Sequence, residues 1–231
     1  MRLAKLLLAI AGFSAARGQA PAPFLTADQC ALCHTRISAP ANSDFHEESP
    51  IGPAALWQGT MMSMAARDPY WSAKVASETA AHPELREAIE DECTRCHAPA
   101  QQDSLRRAGK RLALSALDNL GRDGVTCTVC HRIRPDALGR GESFSGGFTI
   151  GSEWTLFGPH PQPFTMPMVR HTGYTPAEGR HVLEASLCGS CHTLIAHPGG
   201  PGRAPAFAEQ APFLEWLASG FRTSGRTCQS C

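Results

Sequence analysis

The chain has 231 residues, in which 21 Lys and Arg balance 21 Asp and Glu; this excludes the basic footprint of a nucleic-acid binder and leaves room for one or two ordinary domains. Leu, Ile, Val and Phe amount to 42 residues, thin for a globular core, whereas Gly (21) and Pro (18) are abundant and demand turn and loop. With no heptads and no polar tracts, either part of the chain stays disordered or something other than side chains fills its interior.

Arg2 and Lys5 precede an apolar run from Leu6 to Phe13, and Ser14 to Ala20 is a small-residue segment. That order is the signature of an export signal cleaved after Ala20. The apolar run reaches about 12 Å as a helix, short of the roughly 30 Å core of a bilayer. A short N-terminal anchor is the alternative. Without residues 1–20 the chain keeps 18 basic against 21 acidic residues. The segment therefore predicts a periplasmic protein, with membrane association left open, and residues 21–231 as one unit.

Further along, Asp68-Pro69 is an N-cap and N1 pair that opens a helix through Trp71, Val75 and Glu78. Pro83 starts a second helix that delivers Cys93 to His97. Leu105, Leu112, Leu117 and Leu120 lie mostly at helical spacing up to Gly121. Residues 139–173, rich in Gly and Pro, read as loop with room for a small hairpin. Thr175-Pro176-Ala177-Glu178 has the form of a capping box and predicts a helix carrying His181 toward Cys188. Ala208 to Ala218 reads as a last short helix. The expected fold is mostly α with long loops and little regular β structure.

All ten cysteines fall in pairs with two residues between: Cys30/Cys33, Cys93/Cys96, Cys127/Cys130, Cys188/Cys191 and Cys228/Cys231. In four pairs a histidine follows at once, namely His34, His97, His131 and His192. CxxCH is the attachment signature of c-type haem. The two thiols add to the vinyl groups of one macrocycle, and the adjacent histidine ligates its iron from the proximal side. Structural disulfides have no need of His at the fifth position. Zinc ribbons seldom repeat CxxCH at such gaps, and a thioredoxin-like site needs one CxxC near a βαβ unit.

The fifth pair ends the sequence where a histidine should follow, which reads either as an incomplete chain or as a terminal disulfide. Four haems, with a fifth in a full-length protein, would then serve as the missing core. The first cysteines, at 30, 93, 127, 188 and 228, are spaced so that haems two and three, and haems four and five, would form the tighter pairs.

A sixth iron ligand can come from the remaining histidines. His181 leads, followed by His82 and His46, then His171, then His160 and His197; for each, an ordinary surface residue is the alternative. Met61, Met62 and Met64 offer thioether ligands, with core packing as their alternative.

The segments TMMSMAARDPYW (60–71), CTRCHAP (93–99), DGVTCTVCHRI (123–133), LCGSCHTL (187–194) and EQAPFLEWL (209–217) resemble those of periplasmic multihaem cytochromes c. That broad group spans small electron carriers and hydroxylamine-oxidoreductase-like enzymes. The resemblance implies haem attachment at the matching Cys and His residues. In similar sequences the last segment leads into a final CxxCH, which this chain lacks.

Two functions follow. The first is an electron carrier exchanging electrons with redox partner proteins in the periplasm or at the membrane. The second is a multihaem oxidoreductase acting on a small nitrogen or sulfur compound at a five-coordinate iron, which would need proton donors nearby. Arg67, Arg170 and Arg180 are candidates for that task, although surface arginine is the simpler reading. No CxxCK variant marks a specialised catalytic haem, and the carrier is the preferred function.

Overall fold

A computed structural model describes residues 23–35, 51–197 and 205–230. Residues 1–20, read above as an export signal, His46 and Cys231 lie outside the described residues. The chain is a succession of short helices joined by long, hydrogen-bonded loops, as its composition requires. Among the described residues, no helix is long and apolar enough to cross a membrane.

Helix α1 (Ala27–His34) carries the first cysteine pair and packs on α2 (Pro53–Gln58). A single turn, α3 (Met61–Met64), leads to α4 (Pro69–Ala81). Asp68 caps α4 by accepting the Tyr70 N–H at 3.0 Å, and Pro69 sits at N1. Trp71, Val75 and Thr79 form the buried face of α4, and they lie against α5 (Arg86–His97). A 3₁₀ turn at Pro83–Leu85 separates the two helices.

Helix α6 (Pro99–Arg107) stops well before Leu112. Gly109 turns left-handed at φ +69°, and the Lys110 N–H closes the end on the Leu105 carbonyl at 2.9 Å. The leucines expected to continue that helix instead hang from a loop. Glu90 and Asp91 of α5 accept the Leu114 and Leu112 N–H groups at 3.0 and 3.1 Å. Leu112 is thereby held in a cluster with Ala66 and Ala98, against which Leu105 and Leu117 pack. Two single turns follow, α7 (Asn119–Arg122) and α8 (Cys127–Cys130).

Residues 139–173 are not wholly loop. Strand β1 (Thr155–Gly158) and helix α9 (Met166–Thr172) form within them, and α9 ends at Gly173. Strand β2 (Thr175–Glu178) occupies the segment read as a capping box and pairs in parallel with β1, Thr175 opposite Thr155. His181 is therefore carried by a 3₁₀ turn, Arg180–Leu183, rather than by a capped helix. Helix α10 (Ala185–Gly189) leads into the fourth cysteine pair.

Strands β3 (Leu194–Ala196) and β4 (Phe207–Gln210) make a second, antiparallel pair, followed by α11 (Pro212–Ala218) and α12 (Gly220–Thr223). The expected helix from 208 is thus split. Pro212 opens α11 and disfavours helical geometry at Ala211, which sits at φ −131°, ψ 19°.

The largest apolar cluster gathers Phe24, Ala100, Val129, Ile133, Ile150, Val182 and Leu187 around the third cysteine pair. Beside it Arg132 is 1% exposed, its guanidinium 4.5 Å from the Phe24 ring centre and its Nη2 donating to the Gly151 carbonyl at 2.7 Å. The ring face offsets part of the cost of burying that charge.

Gly124 ties the loop before the third pair to α3. It has φ +70°, and a Cβ there would collide with the Met62 carbonyl, which accepts the Val125 N–H at 3.0 Å. Gly109 has nearly the same φ, but a Cβ there would meet nothing within 4 Å. Gly109→Ala should therefore cost about 1–2 kcal/mol from backbone strain alone. Gly124→Ala should cost clearly more, and thermal melting of the two variants side by side checks the order.

Candidate haem-attachment sites

Each CxxCH motif makes about one helical turn, which places both cysteines on one face and the histidine beside the first of them. The first motif lies within α1 and the second closes α5. In the third, the His131 N–H bonds the Cys127 carbonyl at 3.1 Å; in the fourth, the His192 N–H bonds the Cys188 carbonyl at 2.9 Å. Thr126 caps the third turn by accepting the Thr128 N–H at 3.3 Å. The fifth pair begins in a 3₁₀ turn, Cys228–Ser230, where the Gln229 amide donates to the Val182 and Glu184 carbonyls at 3.1 and 2.8 Å.

Tertiary packing brings the motifs together in a different order from their spacing along the chain. The Cys30 and Cys127 side chains lie close enough to shift one another's titration, as do those of Cys96 and Cys191. First joins third, and second joins fourth. Cys188 also meets Cys228, and Cys130 acts on both Cys188 and Cys191, so the two couples adjoin. Among the described thiols, the second motif pairs with the fourth rather than with the third.

Side-chain to backbone bonds explain the first couple. Thr128 Oγ1 accepts the Leu25 N–H at 3.1 Å, and Thr126 Oγ1 donates to the Leu25 carbonyl at 2.8 Å. The Asp123 carboxylate then accepts the Ala27 N–H at 2.8 Å at the start of α1. The second couple is held by a loop. Ser145 and Gly146 donate to the Thr193 and Ser190 carbonyls at 2.9 and 2.8 Å, while Gly146 lies against Arg95 and Cys96.

Cys33 departs from the expectation that the haem sites fill the interior. Its pair-mate Cys30 is half-buried against Cys127, whereas Cys33 is exposed. The cause is its place on α1. The bonds from Asp123, Thr126 and Thr128 fix the start of that helix, and Cys33 lies near its far end between exposed Leu32 and His34. Among the described residues, the first motif is thus exposed at Cys33. Cys228 of the fifth pair is exposed as well.

The thiols respond to this packing. The neighbouring Cys127 side chain and then burial push Cys30 up, and Cys30 in turn pulls Cys127 down. Cys191 and Cys96 behave in the same way, with Cys191 raised and Cys96 lowered. Burial raises Cys93 and Cys130 to about 11 and Cys188 to about 12. No disulfide joins the described cysteines.

Two of the four histidines have a defined orientation. His97 Nδ1 lies 2.9 Å from the Ala65 carbonyl, and His131 Nδ1 lies 2.5 Å from the Phe157 carbonyl. A carbonyl only accepts, so Nδ1 carries the proton and the Nε2 lone pair is free for a metal. Burial lowers the pKa of both rings, which favours that neutral form. His34 and His192 are exposed at the ends of their motifs.

The candidate distal ligands divide by position. His181 is 8% exposed, its Nε2 2.8 Å from the Ile133 carbonyl and its ring edge-on to Phe157. His171 is exposed, with Nε2 3.2 Å from the Gln29 carbonyl beside Cys30. His82 is exposed after α4, with Nδ1 3.8 Å from Glu84. His160 and His197 are exposed. Met61, Met62 and Met64 are 70, 43 and 40% exposed, so core packing does not account for them. Sequence reasoning missed the Trp71 ring stacked on His97 and the two carbonyls that orient His97 and His131. Thr126, an N-cap residue directly before a cysteine pair, was the one local signal for the strap onto Leu25.

Among the described residues, no three His, Cys, Asp or Glu side chains converge as a metal cage. A haem asks for none, because its porphyrin supplies four iron ligands and the protein only the axial ones. The donors present fit haem: free thiols one turn apart and neutral imidazoles with Nε2 available. Arg95 Nε, Ser190 Oγ and Thr193 Oγ1, within or beside the second and fourth motifs, are buried without a hydrogen-bond partner among the described residues. They are donors of the kind that haem carboxylates accept from.

The pairing of motifs can be checked directly. On the haem reading of the motifs, protein carrying Cys93→Ser and Cys96→Ser should lose one haem and shift the midpoint potential of the fourth-motif haem, leaving the third closer to its original value. Potentiometry with EPR reads this outcome. A larger shift at the third motif would restore the order suggested by chain spacing.

Comparison with known proteins places one part of the chain. No curated protein and no solved structure matches it. The family described as cytochrome c554 and c-prime matches residues 29–132. That span covers the first three CxxCH motifs, together with α2 to α8, and stops before the β1–β2 pair and the fourth motif. The match supports a c-type cytochrome that binds haem c, and over residues 29–132 this chain is similar to cytochrome c554 and c-prime.

Proposed function

We propose that the chain is an exported multihaem cytochrome c that carries electrons. Four haems would be attached at Cys30/Cys33, Cys93/Cys96, Cys127/Cys130 and Cys188/Cys191, with a fifth at Cys228/Cys231. His34, His97, His131 and His192 would be their proximal ligands. When bound, the haem iron supplies a one-electron couple whose potential the axial ligands set. The observation that carries this reading is the side-by-side packing of motifs one with three and two with four, joined through Cys130. A carrier needs neighbouring redox centres, and this packing offers a continuous row of attachment points.

The protein's own part is to fix the sites. The helical turn of each motif holds its thiols on one face. Ala65 and Phe157 fix the tautomer of two imidazoles. The motif histidines His34 and His192, at the surface, lie where redox partners in the periplasm or at the membrane could exchange electrons, and exposed Cys33 puts the first haem's edge there too. Residues 1–20 would direct export, which haem attachment to CxxCH requires of its compartment.

Distal ligands belong to the same proposal. His181 is supported by its burial beside His131 and Phe157, and His171 by its contact with the first motif. His82, His46 and the exposed methionines complete the set. Ligation through His181 Nε2 would exchange its hydrogen bond to Ile133 for the iron.

Intact mass tests the reading. The exported protein should exceed its polypeptide mass by at least four haems, and thiol reductants should not release them. A mass equal to the polypeptide alone overturns it. The ferric EPR spectrum of the same sample should be wholly low-spin; a high-spin component would instead assign an open iron and an oxidoreductase acting on a small nitrogen or sulfur compound. His181→Ala should keep every haem and convert one iron from low-spin, with its potential moving positive. Unchanged spectra and potentials would make His181 a packing residue.

A further inference from the structure

We propose that Trp71 is a positioning residue for His97, fixing the plane of the second motif's imidazole. The inference rests on the haem reading above and extends it to a residue outside any CxxCH motif. The indole and imidazole are stacked, with ring centres 4.5 Å apart and planes 8° from parallel. Trp71 is 7% exposed and sits in the first turn of α4, which Asp68 and Pro69 start at a fixed point. His97 ends α5, the helix packed against α4. The stack is thus built by two rigid elements rather than by a loop.

The two restraints on His97 act on different freedoms. The bond from Nδ1 to the Ala65 carbonyl lies in the ring plane and selects the tautomer. Alone, it leaves the ring free to tilt about the N–H···O axis. A parallel indole face closes that freedom. His131 has the first restraint, from Phe157, without a stacked ring among the described residues. The second motif is therefore held more stiffly than the third.

Two consequences follow for bound haem. The imidazole plane governs the g-anisotropy of a low-spin ferric iron, so the stack sets that haem's EPR signal. A ring kept in line with Ala65 also keeps its hydrogen bond, which raises ligand basicity and holds the potential down.

Holoprotein carrying Trp71→Leu, which keeps the site apolar and removes the ring face, tests this. Haem content should be unchanged. The EPR signal of the second-motif haem should move, and its reduction equilibrium should shift toward the reduced form by up to tenfold, about 59 mV for a one-electron couple. The other haems should keep their values. The signal absent from the Cys93→Ser, Cys96→Ser protein identifies which haem is read. Trp71→Phe, with a ring restored, should return the spectrum close to wild type.

Unaltered EPR and potentials in Trp71→Leu would overturn the proposal. So would equal shifts at every haem, the mark of a packing role alone. Should Trp71→Leu fail to accumulate, Trp71→Met is judged by the same two readouts. A wild-type protein without covalent haem would overturn the functional reading itself, before any variant is compared.

Discussion

The arrangement of the chain rests on the hydrogen bonds that hold its cysteine motifs side by side, the first against the third and the second against the fourth. Each couples segments far apart in sequence. The Leu25 backbone is strapped to Thr126 and Thr128, and the Ser145–Gly146 loop clasps Ser190 and Thr193. Both devices use side-chain or loop hydrogen bonds to backbone, which are local and directional. Motifs placed this way lie within a short distance of one another, the condition that the proposed electron carrier requires.

The thin apolar core has a visible consequence. Buried hydrophobic side chains form three separate clusters, the largest around Val129 and Ile133. Between them, polar residues hold the loops. Glu90, Asp91 and Gln101 bind the backbone from 112 to 118, Asp123 holds the start of α1, and Arg107 and Arg132 reach the carbonyls of Ile150 and Gly151. Such bonds order a chain at modest net gain for each. Large flat apolar groups covalently held at four points would add the buried area that the side chains lack. The buried orphan donors beside the second and fourth motifs fit the same account.

How much of this was legible depends on how local the cause was. Helix α4 was, because Asp68 and Pro69 determine its start through capping and fixed φ. The segment 175–178 was not. Its Thr-Pro-Ala-Glu pattern suits a helix, but the Thr175 N–H bonds the Trp154 carbonyl and the segment pairs with β1. Tertiary pairing overrode a local preference. Helix α9 was missed, although Pro167 near its start and Gly173 at its end were readable signals. The leucines at 105 to 120 misled because their spacing mimics a helix that Gly109 interrupts. The exposure of Cys33 beside half-buried Cys30 was equally illegible, since it depends on where the strap holds α1.

The sequence by itself determined the grouping of thiols and imidazole in each CxxCH. One helical turn spans the motif, so five residues are enough to set two thiols and an imidazole side by side. It also determined the predominance of short helices and loops, through its Gly, Pro and capping residues. Only the tertiary structure decided which motif lies beside which, since that rests on contacts between segments distant in the chain, such as Leu25 with Thr128. It likewise decided which carbonyls orient His97 and His131 and which ring stacks on His97. Ala65 and Trp71 precede His97 by tens of residues and carry no motif; they act on it because α3, α4 and α5 pack together, and packing is a property of the folded chain as a whole.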